Sequence, residues 1–169
     1  MALPTEILRA RLRNELAMCQ SVLEHDIVCS DKAFETLPVF LDVTMRNVPG
    51  PVLRNGVVVD ELLHKFRIII TENYPYEKPI VRWQTGIFHP NIMLARDGGY
   101  VCTKLLDSWS FASNLLSFIT GVESLLAHPN PMSPYKTESC MLASEFFIKE
   151  PYLPAEPSKS ERRLPRIVN

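Results

Sequence analysis

Apolar positions in the first part of the chain recur with a helical period. Leu8, Leu12, Leu16, Cys19 and Leu23 follow at steps of 4, 4, 3 and 4, the spacing of one buried stripe, and predict a helix over residues 6–24. Thr5, after Pro4, is its expected N-cap. Arg9, Arg11 and Arg13 are expected on the solvent side of this helix, where such charges normally lie. From about residue 34 to 85 the period changes to two. Val39, Leu41, Val43 and Met45 alternate with Phe40, Asp42 and Thr44, the pattern of a half-buried strand. Asn55-Gly56 marks a turn before Val57–Val59, and residues 62–71 and 80–85 read as further strands. Consecutive strands with short connections imply an antiparallel meander.

Residues 86–110, broken by Pro90 and Gly98-Gly99, carry no period. A second helix is predicted over residues 112–127, with Leu115, Ile119, Val122 and Leu126 as its buried stripe and His128-Pro129 as its stop. A third, over 137–149, carries Met141, Ala143, Phe146 and Phe147. From Pro151 onward four prolines in 19 residues, with Arg162, Arg163 and Arg166, predict an extended tail. The chain therefore divides into an α+β domain over 1–150 and a tail over 151–169. The 169 residues suit one domain able to bury a core without disulfide or metal.

Charge narrows the class. Lys plus Arg number 18 against 19 Asp plus Glu, a balance that argues against a nucleic-acid binder, whose affinity rests on clustered basic charge. No apolar run is long enough to span a bilayer, and the charged N-terminus does not resemble a secretory signal. The expectation is a cytoplasmic protein that binds neither membrane nor nucleic acid. Cys19, Cys29, Cys102 and Cys140 are 10, 73 and 38 positions apart, with no CxxC. That spacing gives no disulfide framework and no metal site, and free thiols fit a reducing compartment. Cys102 reads as a small buried hydrophobe or as a nucleophile, since Gly98-Gly99 and Lys104 would give it exposure and nearby positive charge.

Five landmarks then occur in order: Tyr74-Pro75-Tyr76-Glu77-Lys78-Pro79, His89-Pro90-Asn91, Cys102, Trp109-Ser110 and Pro129-Asn130-Pro131. Together they resemble the ubiquitin-conjugating enzyme family over about residues 6–150. The resemblance implies the UBC fold: an N-terminal helix, a four-stranded antiparallel meander, an active-site loop, then two helices. It implies a transferase in an ATP-dependent pathway, using no cofactor of its own. Cys102 would accept a ubiquitin-like modifier as a thioester from an activating enzyme and pass it to a substrate lysine with a RING-type ligase, the protein acting as a monomer. Asn91 would stabilise the oxyanion or hold the loop, although an asparagine bonding its own turn is an equally ordinary use. His89 would brace the loop rather than act as a base. Ser133 and Asp107 are possible proton acceptors for the lysine. Pro90 and Trp109 would be structural, while Tyr76, Phe111, Ala112, Arg9 and Arg13 would meet the ligase and the activating enzyme.

The chain also departs from the family. Asn91 and Cys102 are 11 positions apart, longer than is usual, with extra residues around Met93 to Asp97. Lys104 stands at an often acidic position, Phe111 replaces a proline, and the tail replaces a last helix. Two alternatives stay open: a UBC-fold module that holds a modifier or ligase noncovalently, and an unrelated thiol enzyme pairing Cys102 with His89 or His128.

Overall fold

The computed structural model describes residues 1–31, 33–102 and 109–155. Helix α1 (Thr5–Val22) leads into a sheet of β1 (Asp26–Cys29), β2 (Val39–Arg54), β3 (Val57–Ile70) and β4 (Ile80–Trp83). Its strands are antiparallel in the order β1-β2-β3-β4. A short 3-10 turn (Ala95–Asp97), helix α2 (Leu115–Ala127) and helix α3 (Glu138–Lys149) complete the fold. This is the α+β architecture expected, with four strands, but the strands differ in detail.

The runs 57–59 and 62–71 are one strand. Asp60 and Glu61, which interrupt the apolar pattern, stay in the ladder because Pro51 and Gly50 of β2 pair with them. The missing strand is β1, whose four residues alternate exposed and buried behind α1. The Asn55-Gly56 turn is as expected, with φ of 51° and 76°, the left-handed pair a two-residue hairpin needs.

The helix ends also differ from expectation. Pro4, not Thr5, occupies the first cap, with no side-chain bond. Helix α2 starts at Leu115 because Asn114 Oδ1 accepts from Ser117 N while Ser117 Oγ accepts from Asn114 N, a reciprocal cap that holds residues 112–114 outside the helix. On α3 the buried face is Cys140, Ala143, Ser144 and Phe147. Met141 is exposed, being one residue, about 100° of helix, away from that face.

Leu8 and Leu12 of α1, the inward residues of β2–β4 and the stripe of α2 form one core, in which Trp83 stacks on Phe66 at 5.3 Å. A smaller cluster of Phe88, Ala143 and Phe147 seats α3. After α3 the chain is irregular, and Tyr152 OH donates to Asp60 Oδ1 at 2.5 Å. Among the described residues no helix is long and apolar enough to cross a membrane.

Candidate active site

Four cysteines are free, and three of them are buried. Burial pushes Cys19 up to about 11 and also raises Cys29 and Cys140, which keeps them as unreactive thiols. Cys102 alone is partly open to solvent.

The segment His89-Pro90-Asn91 holds the backbone before that thiol. His89 is buried; Asn91 N donates to its Nδ1 at 3.0 Å, so Nε2 carries the proton and donates to Leu125 O at 2.9 Å. Desolvation drives the His89 pKa down to about 4. The imidazole is therefore neutral at pH 7, and its one acceptor nitrogen is already occupied. Asn91 is 1% exposed. Its amide donates to Asn130 O at 3.0 Å and Ser133 O at 3.1 Å, and its Oδ1 accepts from Asn130 N at 2.7 Å. Both amide protons are spent on backbone carbonyls of the turn at Asn130 and Ser133. Pro90, also buried, accepts from Tyr135 N at 3.0 Å.

The longer spacing to Cys102 is absorbed without separating its ends. Cys102 N donates to Asn91 O at 2.8 Å, and Ile92 pairs with Val101. Beyond them Met93 N donates to Tyr100 O at 2.9 Å, and the additional residues form the 3-10 turn. Gly98 and Gly99 close it at φ of 109° and 66°. A Cβ on Gly99 would lie 2.5 Å from Trp83 O, so only glycine fits there.

Ser133 is exposed on the turn that Asn91 grips. Asp107 and Lys104 lie outside the described residues, as do Arg162, Arg163 and Arg166. Tyr135 carried no sequence signal. Its pKa is pushed up to about 12, chiefly by burial. The phenol therefore stays protonated.

The other expected surface gathers beside Arg11 of α1. Tyr76 and Phe111 are 41% and 51% exposed, with ring centroids 5.5 Å apart, and Ala112 is exposed beside them. Trp109 is half-buried, donating from Nε1 to Pro75 O at 2.8 Å. Arg13 is exposed. Arg9 is not free on the solvent face: it pairs with Glu6 and donates to Phe34 O at 3.0 Å, tying α1 to the β1–β2 connection. Nor is Arg11. It pairs with Glu15 at 2.6 Å, donates to Phe111 O and Ser113 O at 2.9 and 2.7 Å, and lies over the Phe111 ring. Glu15, in turn, is buried and accepts from Tyr74 OH and, at 2.9 Å, from Leu115 N. The signal for it was available: position 15 falls on the stripe of Leu8, Leu12 and Cys19, and Leu16 is only partly buried. Among the described residues no group of three or more His, Cys, Asp or Glu is placed to hold a metal ion.

A family model described as "Ubiquitin-conjugating enzyme" matches residues 43–148. The chain belongs to the ubiquitin-conjugating enzyme family. It is 40% identical over 81 residues to ubiquitin-conjugating enzyme E2 3 of Arabidopsis thaliana, covering 48% of this chain and 53% of that one. It is 34% identical over 92 residues to ubiquitin-conjugating enzyme E2 T of Homo sapiens, covering 52% and 44%. The chain thus spans about half the length of these curated relatives. Among solved structures it is similar to S. cerevisiae Ubc12, with a TM-score of 0.63 at 26% identity over 83% of this chain and 71% of that one. A Toxoplasma gondii ubiquitin-conjugating enzyme domain gives a TM-score of 0.60 at 25% identity, over 83% and 87%. These neighbours share the UBC fold.

Proposed function

We propose that the chain is an active conjugating enzyme that carries ubiquitin or a ubiquitin-like modifier as a thioester on Cys102. In loading, the Cys102 thiolate attacks the thioester carbonyl presented by an activating enzyme, whose thiolate leaves. One thioester replaces another, so no dedicated acid–base relay is required. In transfer, a neutral substrate lysine attacks the Cys102 thioester; a C–N bond forms, the C–S bond breaks, and the ammonium proton is lost to solvent or a nearby acceptor. That step builds negative charge on the carbonyl oxygen and depends on fixed geometry.

The observation that carries this reading is the accessibility of Cys102 alone among four free cysteines, at the end of a loop whose backbone is tied to Asn91 O. In this reading Asn91 acts as a positioning residue that fixes the loop to the turn before Ser133. His89 ties the same segment to α2 through Leu125 O, and Tyr135 N holds Pro90 O. Ser133 and Asp107 are the acceptors proposed for the lysine proton. The exposed Tyr76–Phe111 pair, with Ala112, receives a RING-type ligase, and Arg13 on α1 meets the activating enzyme; Arg11 and Glu15 hold the aromatic loop in place.

A charging assay with ATP, activating enzyme and either ubiquitin or a ubiquitin-like modifier tests the reading. The expected product is a single-modifier adduct that is lost with reductant, absent in Cys102→Ala and reductant-stable in Cys102→Ser. A thiol-labile adduct persisting in Cys102→Ser would move the chemistry to another cysteine. Binding of modifier without any adduct would favour a noncovalent module.

A further inference from the structure

The outer face of the sheet carries a row of side chains that ends beside the candidate nucleophile. Asp42 on β2 stands opposite Arg67 on β3, Arg67 opposite Arg82 on β4, and Arg82 opposite Tyr100 in the loop. Two arginines directly opposed across antiparallel strands repel each other. The row resolves this by sending them in different directions. Arg67 turns to Asp42, donating at 2.8 and 3.1 Å. Arg82 turns to the loop, donating from Nη1 to Gly98 O at 2.8 Å while its guanidinium lies 3.7 Å from the Tyr100 ring centroid.

We infer that Arg82 is a positioning residue for Cys102, a role that rests on the proposed thioester chemistry of that cysteine. The additional residues between Asn91 and Cys102 would otherwise leave a long exposed excursion ahead of the thiol. Arg82 fixes its far side at two points, a carbonyl and a ring face, a combination suited to a planar guanidinium. Trp83 N adds a bond to Gly99 O at 2.7 Å. The register then passes without slack from Tyr100 through Val101, paired with Ile92, to Cys102, paired with Asn91. Cys102 is thus held from two sides, by the Asn91 turn and by β4.

Thiol exchange, driven by an intrinsically strong nucleophile, tolerates a displaced sulfur better than aminolysis does. Loss of the clamp therefore slows transfer more than loading. The experiment uses the full chain in two arms. In the first, iodoacetamide labelling of Cys102 is followed by intact mass spectrometry, which requires no modifier. In the second, the preformed ubiquitin thioester is discharged in single turnover against increasing free lysine.

Arg82→Ala is expected to label several-fold faster and to lose about ten- to a hundredfold in the maximal discharge rate at unchanged half-saturating lysine. Its loading and melting curve should remain near wild type. Tyr100→Leu should match it, Tyr100→Phe should match wild type, and Arg82→Lys should recover part of the loss. Arg82→Ala with Tyr100→Leu should be no worse than either alone. Rates within twofold of wild type in both arms, or losses that multiply in the double variant, would overturn the inference. The exposed Tyr100 carries the same test if Arg82→Ala does not fold. If wild type forms no thioester, the proposed function fails, while the labelling arm still decides whether Arg82 holds Cys102.

Discussion

Asn91→Ala separates the two roles open to this residue. The side chain makes three hydrogen bonds to the backbone of the turn at Asn130 and Ser133, at 2.7–3.1 Å, from a site 1% exposed. At about 1 kcal/mol net for each bond, with further cost for any backbone group left dry, truncation should cost about 3–4 kcal/mol. Urea unfolding of wild type and variant, followed by circular dichroism and tryptophan fluorescence, measures this directly. Asn91→Asp should also destabilise, because a carboxylate would face the Asn130 and Ser133 carbonyls. That penalty should ease as the pH falls and the protonated acid regains a donor. In loading and discharge assays below the unfolding range, both steps of Asn91→Ala should decline, with rates that follow the disordered turn. A variant within 0.5 kcal/mol of wild type (less than one typical net hydrogen bond) that loads normally yet loses about a hundredfold or more in transfer would refute the reasoning. The amide would then be released from the turn to serve the oxyanion.

Removing the buried Glu15 carboxylate should be costly in a different way. Glu15→Ala strands Arg11, the Tyr74 hydroxyl and the Leu115 amide, so a loss of about 3–5 kcal/mol is expected by urea unfolding, and a loss below 1 kcal/mol would contradict the network. His89 sets a pH dependence: its pKa is lowered to about 4 in the fold from 6.5 in the open chain, so the unfolded state binds the proton first on acidification. Stability should fall by about 2 kcal/mol from His89 between pH 7 and 5, and a His89→Gln protein that still folds should lose that part of the slope; an unchanged slope would exclude it. At the aromatic patch, Phe111→Asp should weaken binding of a cognate RING protein at least tenfold by titration calorimetry while leaving the charging of Cys102 intact, and unchanged affinity would remove the patch from the ligase surface.

The elements that local periodicity controls were legible: the α1 stripe, the inward face of β2, the Asn55-Gly56 hairpin and the stripe of α2. The order of five landmarks was enough to suggest the family. Less of the site could be read. Arg9, Arg11 and Arg13 look equivalent along the chain, yet only Arg13 is left exposed, because α1 presents the other two to backbone carbonyls at Phe34 and Phe111. Tyr135 and Arg82 reach the active-site segment at Pro90 and at Gly98 through a turn and a strand edge, so no local spacing announces them.

By itself, then, the sequence determined the three helices, the inward face of β2 and the Asn55-Gly56 turn, and which cysteine follows the His89-Pro90-Asn91 segment. Those properties depend on neighbours within a few residues, whose side chains share a face or a turn. Only the tertiary structure decided that Asp60 and Glu61 stay within β3, that the Asn91 amide is consumed by a turn 39 and 42 residues away, and that three of four thiols are buried. Each of these turns on whether a polar group finds a partner or loses water, and those partners come from residues distant in the chain.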